Sequence, residues 1–367
     1  MGPCTLPSIP GPISHIDIRS MYPTLLRDRM YPCRFIKRIN DCDAGTIKEY
    51  LKMYGVIATV TIYSDSGEFP LRRKEELIFP RGYFTTVLAG PDLEAIKEPD
   101  KIVHVHNAAL YVLGRPYKEA AQFLLDARQQ ARERGDRAWE YLTKNLANSL
   151  GGKLAQRKSR TVERRDHVAK QLWGEWIDYD HDTKSYHRYQ SKAGMVFEIC
   201  RDARGEGRYT ASFAYLTAYG RQLMRTVRIA FPPESILSQD TDGIWILSNE
   251  LLNRQLCPVP FGDAPGNLRV VEVSNNGRFF GPKHYYVDSG WVLSGYSNIG
   301  SGSNGEEFRH TVNFNPLTRG TTTLPTRIYS KESGHPYPLQ PYHGSVSPYG
   351  WINPIYIDET TQTETVE

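Results

Sequence analysis

Three aspartates in this chain are placed to hold hard divalent cations. Asp17 lies in the segment His15–Ile18 (HIDI), and Asp240 and Asp242 stand two residues apart in Ser238–Gly243 (SQDTDG). Carboxylates converging from separate strands suit magnesium, which takes oxygen ligands in an octahedron. Two such ions about 4 Å apart serve phosphoryl transfer from a nucleoside triphosphate, one activating the attacking hydroxyl and one neutralising the leaving pyrophosphate. Residues i and i+2 of a strand face the same side, so Asp240 and Asp242 can act together, and Asp17 joins them if its strand lies alongside. Taken alone, Asp240–Gly243 reads more often as turn chemistry, because Asp and Gly are both favoured in turns.

A second group of residues could hold a polyphosphate. Arg137, Tyr141, Lys144 and Asn148 recur at helical spacing and form a polar stripe, and Arg128 and Arg132 lie one turn apart on the preceding helical stretch. Guanidinium forks and the point charge of lysine both suit phosphate oxygens, although such a stripe is as often a solvated face. From Arg115 to Lys170, 14 Lys and Arg stand against 7 Asp and Glu, an excess compatible with an anionic partner. His104 and His106 lack a third ligand at suitable spacing and read as core or surface histidines.

These side chains need elements to carry them. His15–Ile18 alternates polar and apolar and predicts a strand, followed by a turn at Tyr22–Pro23 and a short helix. Strands are expected at Val56–Tyr63 and Ile102–Leu113. Tyr117–Leu150 predicts two antiparallel helices, with Gly135 stopping the first, Asp136 capping the second, and Gly151 and Gly152 ending it. Arg157–Gln190 reads as an inserted hairpin or loop, and Tyr209–Ala230 as a helix. In Ser235–Leu247 two short apolar runs flank DTDG, the composition of a tight β-hairpin. Ser297–Gly305 and Gly334–Gly350 read as loops. Tyr356–Glu367, with four acids and no base, reads as a disordered tail.

Three segments, in order, resemble the motifs of family B DNA polymerases. Asp17–Thr24 (DIRSMYPT) is similar to DxxSLYPS, Lys144–Gly152 (KNLANSLGG) to KxxxNSxYG, and Ser238–Gly243 to YGDTDS. Tyr215–Met224 is similar to the helix before the last of these, and Lys283–His284–Tyr285 to the KxY primer grip. The resemblance runs from about residue 14 to residue 298 and looks most like the protein-primed subfamily of phages and plasmids. It implies an α+β right-hand fold, with a palm of antiparallel sheet, two-helix fingers, insertions and a small or missing thumb. The implied divisions are a linker at 1–13, palm at 14–30, palm with insertion at 31–115 and fingers at 116–152. An inserted hairpin or loop at 153–206, palm at 207–298 and a thumb-like or irregular region at 299–367 complete them.

The resemblance also implies an activity: template-directed addition of dNTPs to a primer 3′ end by a nucleotidyltransferase using two Mg2+ ions, with Mn2+ as a substitute. Asp17, Asp242 and the Ile18 carbonyl would be metal ligands, with Asp240 a supporting acid. Tyr22 would be the steric gate against a ribose 2′-hydroxyl, with Ser20 and Met21 beside it at the nucleotide. Arg128, Arg132, Lys144 and Asn148 would hold the triphosphate, and Gly152, Lys283 and Tyr285 the primer and DNA. Primer-template DNA and dNTPs are the implied partners, and a priming protein or a separate exonuclease or processivity subunit are further candidates. Departures are Gly151 for Tyr, Ser238–Gln239 for Tyr-Gly and Gly243 for Ser. With only 14 residues before His15, a proofreading exonuclease is not expected in this chain. A catalytically silent DNA-binding subunit and a polymerase with relaxed template or sugar choice are the alternatives.

The composition agrees with such a protein. A chain of 367 residues, 40% hydrophobic and 23% charged, has room for two or three ordinary globular domains. No apolar run approaches the roughly 18 residues of a membrane span, and Met1–Pro12 lacks the pattern of a secretory signal. Five cysteines without a CxxC pair argue against a disulfide framework and a zinc module, and for a reducing compartment. The expected setting is the cytoplasm or nucleoid of a host cell, not the exterior.

Overall fold

The computed structural model describes residues 11–73, 76–98, 101–156, 159–180, 185–201, 209–281, 284–293, 296–302, 305–310 and 356–358. Its architecture is mixed α+β, with antiparallel sheets and helices divided between two compact units. One unit takes residues 4–154, 209–292 and 339–367, and the other takes 1–3, 155–208 and 293–338.

In the larger unit a four-stranded sheet runs in the order Ile236–Asp240, Gly243–Leu247, Ile13–Ile18, Leu268–Ser274. The alternation seen in the sequence divides its faces. Ile16, Ile18, Ile244, Ile246 and Leu268 join a core with Leu25, Leu26, Leu216 and Met224, while Ile13, Trp245 and Val287 cluster separately. His15 and Asp17, one residue out of phase with Ile16 and Ile18, therefore project from the face away from the main core.

A second sheet has its own core. Tyr31–Cys42, Ile102–Gly114, Gly55–Ser64 and Arg81–Ala89 follow one another across it, and Val56, Ala58, Val60 and Ile62 pack with Ile47, Phe84, Leu88 and Leu110. Tyr356–Asp358 adds a parallel fifth strand against Arg81–Tyr83. These three residues were expected in a disordered tail, but Ile357 offers an apolar side chain that ends 7% exposed in this core.

The two helices Lys118–Glu133 and Arg137–Leu154 meet at the expected punctuation. Gly135 takes φ +69°, its N–H bonds the Arg132 carbonyl, and the Asp136 N–H bonds the Ala131 carbonyl, which closes the first helix. The Asp136 carboxylate then accepts from the Trp139 N–H at 2.9 Å and starts the second. Gly151 and Gly152 do not end that helix, which continues to Leu154. Gly151 is buried, and a Cβ there would stand 2.9 Å from Leu216 Cδ2, so this glycine serves close approach to the helix Thr210–Arg228. The first helix also departs from expectation. It begins at Met21, so Tyr22 and Pro23 form its first turn, where proline's missing N–H costs nothing.

Tyr215 ties the helix Thr210–Arg228 to the second sheet. The strand Arg81–Ala89 pairs only as far as Ile57, and beyond it the Tyr215 hydroxyl accepts from the Val56 N–H at 2.6 Å and donates to the Val56 carbonyl at 3.1 Å. Burial pushes its pKa up. Gly90 makes room, because a Cβ there would fall 2.3 Å from that hydroxyl.

In the smaller unit, the region expected as an inserted hairpin or loop is a four-stranded antiparallel sheet, ordered Ser159–Glu163, Met195–Arg201, Ser185–Lys192, Trp173–Asp180. Its nearly buried Glu198 accepts from Arg164 Nε and pairs with His187 Nδ1, both at 2.6 Å. Ser297–Gly305, expected as a loop, falls largely in a hairpin of Tyr296–Gly302 with Gly305–His310, where backbone pairing needs no apolar pattern. Gly334–Gly350 lies outside the described residues. No helix among the described residues is long and apolar enough to cross a membrane.

Candidate functional site

The four-stranded sheet sets one row of residues side by side. Asp240 pairs with Gly243, Gly243 with Asp17, and Asp17 with Arg269, so the row reads acid, glycine, acid, cation across four strands. Paired residues of antiparallel strands share a face. At about 4.8 Å between strands, Asp17 and Asp240 stand roughly 10 Å apart at their backbones, close enough for side chains to lean together over the glycine. A Cβ at Gly243 would meet His15 Nε2 at 2.6 Å and Asp17 Cβ at 3.5 Å, so glycine keeps this floor open. His15 itself is stacked on Trp245, with centroids 4.9 Å apart, and burial pulls its pKa down.

Asp242 completes the turn between the two hairpin strands. Thr241 before it takes φ +53°, an uncommon conformation for a β-branched residue. The Asp242 carbonyl accepts from the Ile18 N–H at 2.8 Å, which fastens this turn to the end of the Asp17 strand although 224 positions separate the two residues. The three aspartates singled out from the sequence are therefore neighbours.

Arg269 was not singled out, and nothing local in Leu268–Ser274 signals its role. Its Nε and Nη2 grip the two oxygens of Asp17 at 2.8 and 3.1 Å. That hydrogen-bonded pairing raises the Arg269 pKa against the opposing effect of burial, and Asp242 and Asp263 add to it. Among the described residues no group of three or more His, Cys, Asp or Glu side chains could hold a metal ion. The donor chemistry nonetheless fits magnesium, which is commonly held by one or two carboxylates together with substrate phosphates and water.

Behind the acids, Ser20 adopts a left-handed conformation (φ 53°, ψ 43°) at the start of the helix Met21–Asp28. Its hydroxyl makes no cap bond to that helix and instead accepts from Arg128 Nη1 at 2.8 Å. Arg128 is largely enclosed, and burial lowers its pKa. Arg132 turns to Glu140 Oε1 at 2.6 Å, and Arg128 Nε stands 3.8 Å from the same oxygen. Glu140, a carboxylate among cations, was also missed, although its spacing of four from Lys144 is a legible helix pairing. The hydrogen bond from Arg132 holds its pKa down. Lys144 and Asn148 lie on an exposed helix face, as does Gly152.

Tyr22 is half-buried against the main core, and its pKa is raised first by burial and then by Asp242. Gly220 lets it pack, since a Cβ there would be 3.3 Å from Tyr22 Cε1. Met21 as a whole is buried, at 2% exposure. Tyr285 packs edge-on to Trp245 with centroids 5.5 Å apart. Lys283 lies outside the described residues. His104 and His106 sit ring to ring on the second sheet, with His106 Nε2 2.8 Å from the Thr61 hydroxyl, far along the chain from the acids.

No protein-family model matches this chain. No curated protein matches it either. Among solved structures it is similar to Phi29 DNA polymerase in an orthorhombic crystal form, at TM-score 0.54 and 16% identity, over 83% of this chain and 51% of that one. It is likewise similar to Phi29 DNA polymerase complexed with single-stranded DNA, at TM-score 0.51 and 14% identity, over 89% of this chain and 50% of that one. The chain thus spans about half the length of these structures. The fold is DNA-polymerase-like, related to the Phi29 type at low sequence identity.

Proposed function

We propose that this chain is the palm and fingers of a template-directed DNA polymerase of the family B, protein-primed kind, adding dNTPs to a primer 3′ end in viral or plasmid replication. The observation that carries the reading is the meeting of Asp17 with the Asp240–Gly243 hairpin on adjacent strands of a DNA-polymerase-like fold. In this reading the four-stranded sheet is the palm and the helices Lys118–Glu133 and Arg137–Leu154 are the fingers.

Asp17 and Asp242, with the Ile18 carbonyl, would hold two magnesium ions, which supply activation of the primer hydroxyl and neutralisation of the leaving pyrophosphate. Asp240, across Gly243 from Asp17, adds negative potential that draws cations to the site. Arg128, Arg132, Lys144 and Asn148 orient the triphosphate, and the Tyr22 ring, within electrostatic reach of Asp242, takes the volume that a ribose 2′-hydroxyl would need. Tyr285, fixed by Trp245, steadies the primer end, with Lys283 as its partner in that role and Gly152 giving the DNA backbone room.

The test is primer extension with dNTPs and then rNTPs in magnesium. Asp242→Asn should abolish incorporation, and undiminished synthesis by that variant refutes the assignment. A second reading is favoured by the Arg269 fork on Asp17: a polymerase-derived subunit that binds primed DNA through salt-sensitive phosphate contacts and incorporates nothing. An unaltered chain that binds primed DNA and stays silent in the same assay supports it.

A further inference from the structure

We propose that Arg269 is a counterion latch on Asp17, a positioning residue that a divalent cation must displace before the acid site can work. The inference rests on the metal-binding reading of Asp17 given above and adds a residue that neither the motifs nor the fold assigns.

Three observations carry it. First, the contact is built into the sheet: Asp17 and Arg269 are register partners on adjacent antiparallel strands, 252 positions apart in the chain. Second, it is a two-pronged fork, with Nε on one carboxylate oxygen and Nη2 on the other, the geometry in which guanidinium binds carboxylate best. Asp17 is 19% exposed on its side chain and Arg269 is 42% exposed, so the acid is sheltered while the cation has a way out. Third, an acid outside the proposed ligand set lies within electrostatic reach of the guanidinium: Asp263, whose side chain is fully exposed and pairs with Arg19 at 3.3 Å.

A magnesium ion sits about 2.1 Å from a ligand oxygen. With guanidinium nitrogens 2.8 and 3.1 Å from the same carboxylate, two cations would crowd one small anion, and their mutual repulsion opposes joint occupancy. The ion therefore has to break the fork as it binds, and the affinity of the site for divalent cations is set partly by the strength of that fork. The row acid, glycine, acid, cation then has a function for its last member: it holds the Asp17 rotamer and sets a threshold concentration of divalent ion.

The experiment is titration of Mn2+ alone onto the full chain, without nucleotide, reading free Mn2+ by its paramagnetic resonance signal. It compares the unaltered chain with Arg269→Ala, Arg269→Gln, Arg269→Lys and Asp17→Asn. Neutral replacements should bind Mn2+ about tenfold more tightly, equivalent to about 1.4 kcal/mol. Lysine, which keeps the charge but not the fork, should fall between. The glutamine variant keeps most of the side-chain volume and serves if the alanine variant loses its circular-dichroism spectrum. Equal affinity in the unaltered chain and both neutral variants, with Asp17→Asn weakening Mn2+ binding, overturns the latch and leaves the metal reading intact. Binding that Asp17→Asn does not change overturns both.

Discussion

Arg128 and Ser20 offer a measurable link between the basic helices and the acid motif. The bond from Arg128 Nη1 to Ser20 Oγ is 2.8 Å long, with a charged donor whose side chain is only 14% exposed. Hydrogen bonds to charged groups contribute about 1.5–3 kcal/mol when little water competes. Ser20 also holds a left-handed backbone, which costs a residue with a Cβ roughly 1–2 kcal/mol and is tolerated where neighbouring contacts secure it. Arg128→Ala by itself understates the bond, because it also removes a buried guanidinium whose Nε has no hydrogen-bond partner among the described residues. A double-mutant cycle with Ser20→Ala isolates the pairwise part. In equilibrium urea unfolding the cycle should return a coupling of about 1.5–3 kcal/mol. Under the proposed polymerase function, in which Ser20 lies between Asp17 and Tyr22, the loss should also raise the KM for dNTP by roughly tenfold or more at about 1.4 kcal/mol per decade, with kcat less affected. Effects of the two substitutions that add within about 0.5 kcal/mol would refute the reasoning, since independent sites behave that way.

Two further substitutions test how the site's scaffold is held. Tyr215→Phe keeps the ring but strips the hydroxyl from the Val56 N–H and carbonyl, leaving buried backbone groups unpaired; a loss of about 2–4 kcal/mol is expected, with faster amide exchange at Val56, and unchanged exchange there would count against it. Gly151→Tyr would restore the aromatic ring of the resembled motif, yet a single Cβ already meets Leu216 Cδ2 at 2.9 Å, so overpacking should cost about 3 kcal/mol or more in thermal unfolding, and a variant as stable as the unaltered chain would show that the two helices can part there.

Much of the local structure was legible because its causes are local. The stop at Gly135 and the cap at Asp136 follow from backbone sterics and a hydrogen bond three residues away, and the DTDG hairpin follows from two apolar runs around turn residues. Gly151 was misread for the same reason. A glycine signals conformational freedom, but its use against Leu216 depends on which helix packs there. The strand at Tyr356–Asp358 escaped notice because three residues carry too little periodicity to stand out beside acids.

The sequence by itself determined which residues are acids and cations, the strands and helices that carry them, and the order of the motifs along the chain. Only the tertiary structure decided that Asp240, Gly243, Asp17 and Arg269 form one row, that Ser20 answers Arg128, and that Arg132 answers Glu140. Strand periodicity says which face a side chain takes, but which residue stands opposite depends on register, and register is settled by the packing of whole sheets. A guanidinium 252 positions from its carboxylate leaves no mark on the residues around either one.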